Sequence, residues 1–322
     1  MARSGPRWRT MTPMRAVRAV AGEPCIVDVD EPAGGWPLLD VCSASICGSD
    51  LTLLGWNLPV TLGHEIAGTL DGVGYCVEPT VRCGDCDQCR VGATQRCRGR
   101  APHGIIGVAF DGGLADRVAV PPECLVPLPA GLPVADGCLV EPLAVSWHAL
   151  RKAGATPGQR VLIVGGGSIG LMAVAAAAAM GLEVDLEARH DHQRAAGERL
   201  GAGAPNGQYD VTVESAGTDS ALADCVRRTT PGGSIALVGM AAEDRRLPSI
   251  PFVMNELSLF GCNCYDTNIY GHEFAQAASV LAAEPEIAAT VITHRFPLEA
   301  AAEAFRVAAD RASGAIKVVL TP

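Results

Sequence analysis

The sequence predicts a two-domain α/β protein built on a doubly wound parallel sheet, with a second domain marked by a cysteine cluster. Two observations carry that prediction. A strand, a glycine turn, a helix and a second strand follow one another over residues 160–193, and four cysteines crowd into residues 83–97.

Val161 to Val164 is a short β-branched run of the kind found in buried parallel strands. Gly165, Gly167 and Gly170 follow in G-x-G-x-x-G spacing, with Ser168 and Ile169 between them, and open an alanine-rich helix to about Met180. A second strand, Leu182 to Ala188, completes the unit. The first glycine makes the tight turn, the second lets the backbone approach a pyrophosphate, and the third lets helix and strand pack closely. In that context the triad predicts a Rossmann-type dinucleotide site. The segments 209–217 and 232–240 extend the sheet, and Gly239 falls where the nicotinamide end would lie.

The end of the second strand chooses the dinucleotide. An acid for the ribose is expected about twenty residues past the first glycine. Asp185 and Glu187 fall near there, but the strand-terminal position is Ala188, followed by Arg189. A missing acid beside an arginine suits a 2′-phosphate, which favours NADP. Glu187 would serve NAD if the strand ended one residue earlier. His190 and His192 could join that pocket, although solvated loop histidines are the commoner case.

Cys83, Cys86, Cys89 and Cys97 are spaced C-x-x-C-x-x-C-x7-C. Two-residue gaps let tight turns bring successive sulfurs around one tetrahedral ion. Four thiolates leave no open position, so the reading is structural zinc, with disulfides or an iron–sulfur cluster as the rival uses. The other nine of thirteen cysteines are scattered through 322 residues, unlike a secreted disulfide scaffold. They suggest a reduced, cytoplasmic protein.

A content of 48% hydrophobic and 19% charged residues is that of a globular protein with a filled core. The net charge of −10 argues against a nucleic-acid partner. No run of eighteen apolar residues with membrane flanks is present, so no membrane partner is expected. Residues 1–13 carry three arginines and no apolar core of a signal, and are expected to be disordered.

A dinucleotide unit that follows a four-cysteine lobe resembles the zinc-dependent medium-chain dehydrogenases, the alcohol and polyol dehydrogenase family. "CGSD" at 47–50 and "GHE" at 63–65 look like that family's catalytic-zinc segments, and "EPLAVSWHAL" at 141–150 like the helix of its sorbitol and threonine dehydrogenase branch. "THRFPLEAAAEAF" and "GAIKVVL" are similar to its closing segment. The resemblance implies a catalytic zinc held by Cys47, His64 and one glutamate, with a fourth place open for substrate. Glu141 is expected as that glutamate, and Glu65 as its alternate or outer neighbour. It further implies Ser49 as first proton acceptor and Asp50 as the group that orients His64. Both also suit a helix start. With the Cys83–Cys97 lobe, two zinc ions per chain are expected.

Two departures stand out. Relatives commonly carry a histidine two residues after the CGSD motif, where this chain has Thr52. Thr52, the ribose or water would then carry the proton. The stretch from His64 to Cys83 is also short, so the GroES-like β-barrel implied for the catalytic domain is expected to be trimmed, with Leu70 to Glu78 forming a tight hairpin around Asp71-Gly72.

The expected architecture is a discontinuous GroES-like domain, 14–150 with 286–322, around a Rossmann domain at 151–285. The resemblance implies a zinc-dependent oxidoreductase that moves a hydride between a secondary alcohol and NAD(P), the alcohol being a polyol, sugar or cyclitol. A carbonyl reductase using NADPH, and a non-catalytic zinc and nucleotide sensor, are the alternatives. Relatives form dimers or tetramers, and the stretch 254–268 is the expected contact of a homo-oligomer.

Overall fold

The computed structural model describes residues 13–32, 35–99, 104–241, 243–268, 271–310 and 312–322. The disorder expected for residues 1–13 lies outside the described residues, except that Pro13 already begins a strand, Pro13–Val20.

Apart from two two-stranded pairs, the described strands divide into two large sheets that meet at the helix Val140–Lys152. In one sheet, Ser258–Gly261, Thr229–Leu237, Tyr209–Glu214, Arg160–Val164 and Glu183–Glu187 lie side by side, all parallel. Leu162 and Ile163 are fully buried, as a strand covered on both faces must be. The helix Ser168–Ala179 packs against it, and its alanines let Val140–Lys152 approach closely on the other side.

A doubly wound dinucleotide fold has a further strand beyond Glu183–Glu187. Here that strand is reduced to one parallel bridge, Asp185 to Gly203. Only residues 200–208 connect the helix Asp191–Arg199 to the strand Tyr209–Glu214, too few for a strand and a crossover helix. The exposed edge is closed by side chains instead: the Tyr209 hydroxyl donates to Asp185 at 2.8 Å, and the Arg160 guanidinium lies 4.6 Å above the Tyr209 ring.

The second sheet runs Ile292–Pro297, Lys317–Thr321, Leu38–Ser45, Glu65–Leu70, Val73–Val77 and Leu125–Pro127, with Arg117–Ala119 also paired to Leu38–Ser45. The last strand of the chain thus returns to pair with Leu38–Ser45. The hairpin expected around Asp71-Gly72 is present. Leu70 pairs with Val73 across a two-residue turn, with φ of +51° at Asp71 and +79° at Gly72. Two positive φ angles make the turn whose twist matches its strands.

Candidate active site

Cys47 lies at the mouth of the short helix Gly48–Leu53. Its backbone N–H donates to the Asp50 carboxylate at 2.9 Å, which fixes the first turn and leaves the Cys47 sulfur facing inward. His64 and Glu65 follow Gly63, whose φ of +94° turns the chain just before the strand Glu65–Leu70 begins. A side chain at Gly63 would meet the Leu114 backbone at 2.9 Å. That bend answers the problem of two adjacent residues reaching one point, because His64 precedes the strand alternation that would send it away from Glu65.

The ligand atoms of Cys47, His64 and Glu65 all lie within 4.8 Å of one another, and His64 and Glu65 are buried. Glu141, at the start of the helix Val140–Lys152, is buried nearby but is not part of that close cluster. Burial pushes its carboxyl up to about 7, and the charge of Glu65 adds to the rise. Burial opposes the charged form of His64, yet Asp50 and Cys47 beside it hold its pKa well above the usual range. Asp50 Oδ1 is 3.5 Å from His64 Nδ1, and Ser49 Oγ is 3.4 Å from Nε2. Thr52 is exposed on the outer side of its helix.

Sequence reasoning missed Lys317. Its side chain is 2% exposed, and its ammonium donates to both Glu65 oxygens at 2.7 and 2.8 Å. Burial works against its charge, but Glu65 and then Cys47 raise its pKa. Ser45 also donates to Glu65. A lysine between apolar residues in "AIKVVL" was the available signal, since lysine is almost never buried without a partner.

One cleft of about 1090 Å³ joins this cluster to the parallel sheet. Ile46, Cys47, Gly48 and Leu51 line one wall, and Gly165, Gly167, Ser168 and Arg189 the other. Within the glycine turn the roles separate. A Cβ on Gly170 would come 1.7 Å from the Gly165 carbonyl oxygen, and one on Gly166 would come 2.6 Å from the Ala188 Cβ. Gly167 has open space there. The cradle therefore fits a pyrophosphate over Gly167 and the N-terminus of the 12-residue helix Ser168–Ala179. Ile169, Gly170, Ala188 and Gly239 are not among the residues that line the cleft, Gly239 being packed against Gly217 and Ala188 against the turn.

The Cys83–Cys97 lobe lies apart from the cleft, and its four sulfurs also fall within 4.8 Å of one another. Observed separations of 3.4, 3.9 and 4.0 Å match the edge of about 3.8 Å expected for a tetrahedron with zinc–sulfur bonds of about 2.3 Å. Backbone N–H groups of Cys89 and Arg98 donate to the Cys86 sulfur and pull that thiol down to about 6.

Comparison with known proteins decides what such a pair of sites belongs to. Residues 33–130 match the alcohol dehydrogenase GroES-like domain and residues 134–321 the glucose dehydrogenase C-terminus. The chain belongs to the zinc-type medium-chain dehydrogenases. Escherichia coli K12 galactitol 1-phosphate 5-dehydrogenase is 30% identical over 88% of this chain and 91% of its own length. Human sorbitol dehydrogenase is 28% identical over 86% of this chain and 87% of its own. Among solved structures, a Sinorhizobium meliloti protein assigned as a zinc-binding dehydrogenase and bound to NADP superposes with a TM-score of 0.85. It is 29% identical and covers 97% of this chain and 100% of its own. The dehydrogenase therefore joins a GroES-like domain to a Rossmann domain, and its chemistry is oxidation and reduction at CH–OH groups. No helix among the described residues is long and apolar enough to cross a membrane.

Proposed function

We propose that this dehydrogenase oxidises a secondary alcohol of the polyol or sugar-derived class, in the cytoplasm, with NADP preferred over NAD. One observation carries the reading: Cys47 and the glycine turn line the same cleft. A thiolate, an imidazole and a carboxylate are a donor set suited to a zinc that keeps one place open. We assign it to Cys47, His64 and Glu65, with Glu141 as the alternate, the reverse of the order expected from sequence. Glu65 has lone pairs to spare beside Lys317, because a carboxylate accepts at about four positions. The second zinc belongs to the Cys83–Cys97 lobe, where the sulfur spacing fits it. The domain limits that suit this arrangement are 14–150 with 286–322, and 151–285.

When bound, zinc supplies a Lewis acid that makes an alcohol hydroxyl acidic near neutral pH, and the nicotinamide supplies the hydride acceptor. The chain's own residues do the rest. Asp50 orients His64 through Nδ1, Ser49 takes the alcohol proton, and exposed Thr52 stands on the route to water. Gly167 and the helix N-terminus hold the pyrophosphate, and Arg189 faces the 2′-phosphate. Ile46 and Leu51 keep the reacting end apolar.

The related polyol and sugar-acid enzymes favour a polar substrate, and a composition of 4% aromatic residues leaves few large apolar walls. A homo-oligomer is supported by Ile250, Val253 and Met254, which are 76, 66 and 77% exposed beside the outermost strand Ser258–Gly261. Such a face and an open strand edge invite a second copy. The deciding experiment is a screen of polyols, sugars and aliphatic alcohols with NAD and NADP, following the absorbance of the reduced nicotinamide. Turnover of polyols with NADP is the expected result. Turnover of none, or an anomalous-scattering map with zinc in the lobe alone, would overturn it.

A further inference from the structure

Past the glycine turn, the cleft ends in a charged rim of Arg189, Arg227, Arg228, Glu187 and Asp224, where Arg227 pairs with Asp224. Alternation along the strand sorts its side chains by face. Val184, Leu186 and Ala188 join the core beneath the helix Ser168–Ala179. Asp185 and Glu187 point to the opposite face, where Asp185 meets Arg160 at 3.3 Å. Arg228, the last residue of the helix Asp219–Arg228, brings Nη2 to 3.3 Å from Glu187 Oε2. Asp224, one turn earlier, steadies it, with Arg228 Nε at 3.3 Å from Oδ1.

The strand ends at Glu187, one residue before the Ala188 expected from sequence, which is the placement that would serve NAD were the carboxylate free. Ala188 touches the glycine turn with a methyl group only. Glu187 has a carboxylate, but Arg228 engages it from the helix side. The Glu187 side chain is 43% exposed, so the pair is screened by water. Its importance is where it holds the carboxylate, and not how much it stabilises the fold.

We propose that Arg228 is a positioning residue that determines cofactor choice. By pairing with Glu187 it withholds the carboxylate that would accept a hydrogen bond from a ribose 2′-hydroxyl. It also neutralises a negative charge that would repel a 2′-phosphate, leaving Arg189 to attract one, since Arg227 is itself paired with Asp224. The inference deepens the NADP reading above and rests on it.

Titration calorimetry with NADP and with NAD, on the zinc-loaded protein, tests it without relying on turnover. Arg228→Met should shrink the NADP over NAD preference about tenfold, since a freed carboxylate both repels the phosphate and accepts the hydroxyl. Glu187→Gln in that background should restore the preference, and Arg228→Lys should keep most of it. Glu187→Gln alone should change NAD affinity by less than about twofold. An equal loss for both cofactors in Arg228→Met would mean a structural role only and overturn the proposal, as would an unchanged ratio. A marked loss of NAD affinity in Glu187→Gln alone would also overturn it, and that variant decides the matter should Arg228→Met not fold. A wild type that prefers NAD and ignores Arg189→Ala would retire the NADP reading itself. An NADP preference that survives Arg228→Met retires only the role of Arg228.

Discussion

In the lobe, four sulfurs come from fifteen consecutive residues, and Cys83 and Cys86 remain partly open to solvent. In the buried cluster, Cys47 and the pair His64 and Glu65 come from separate segments, and Lys317 reaches them from the other end of the chain. The lobe needs little beyond its own turns to gather its donors. The cluster needs the whole sheet, because Lys317 arrives on the strand Lys317–Thr321 and Glu65 on Glu65–Leu70, two places away. A site made locally can hold its ion without the rest of the fold. A site made by the fold can couple its ion to a cleft, and the two should fail differently when broken.

The largest effect is expected in the lobe. Cys86→Ala removes one donor from the proposed structural site, where metal binding would itself be folding energy. The thermal midpoint should fall by about 10 °C or more, with the zinc content dropping from two to one. A midpoint within a few degrees of wild type would mean that the lobe is not metal-dependent.

Cys47→Ala tests the opposite side of the comparison. It should lower kcat/KM by about a thousandfold, equivalent to about 4 kcal/mol of transition-state stabilisation, and also leave one zinc per chain. The melting curve should move little, because the remaining donors are held by the sheet. Retained turnover with zinc in the lobe alone would sink the proposed mechanism.

Lys317→Met sharpens the comparison further. Removing one partner of a buried ion pair leaves the other uncompensated, at a cost of about 3–5 kcal/mol. In metal-stripped protein, urea unfolding should register that loss, whereas zinc loading should recover part of it by supplying another cation to Glu65. An equal loss with and without zinc would mean that Glu65 does not face the metal.

The same contrast explains what could be read from the sequence. Spacing described the cysteine lobe and the glycine turn, and the shortened His64–Cys83 stretch suggested the Asp71-Gly72 hairpin, because each is set by neighbours a few residues apart. The family segments brought Cys47 and His64 into view. Lys317 escaped, since its partner lies 252 positions away and nothing local marks the pairing. The proposed reversal between Glu65 and Glu141 has a similar cause. It depends on the Gly63 bend, which three letters of sequence do not reveal. The lost strand at Gly203 was equally hidden, because a missing element leaves no pattern of its own.

The smallest expected effect concerns protons in the lobe. N–H groups of Cys89 and Arg98 lower the Cys86 thiol from 9.0 to about 6, whereas burial, aided by Cys86, pushes Cys89 up to about 12. A depressed folded pKa means that the stabilisation is complete above the unfolded value near 9 and is lost as pH falls through about 6. Between those limits Cys86 is already a thiolate and gives up no proton when zinc binds. Below about 6 it must, so zinc affinity should fall by a further tenfold for each pH unit. Competition against a zinc indicator, in the Cys47→Ala background to isolate the lobe, measures that slope. A slope that does not steepen below pH 6 would show that those N–H groups do not tune the thiol, and that the lobe's four sulfurs ionise as equals.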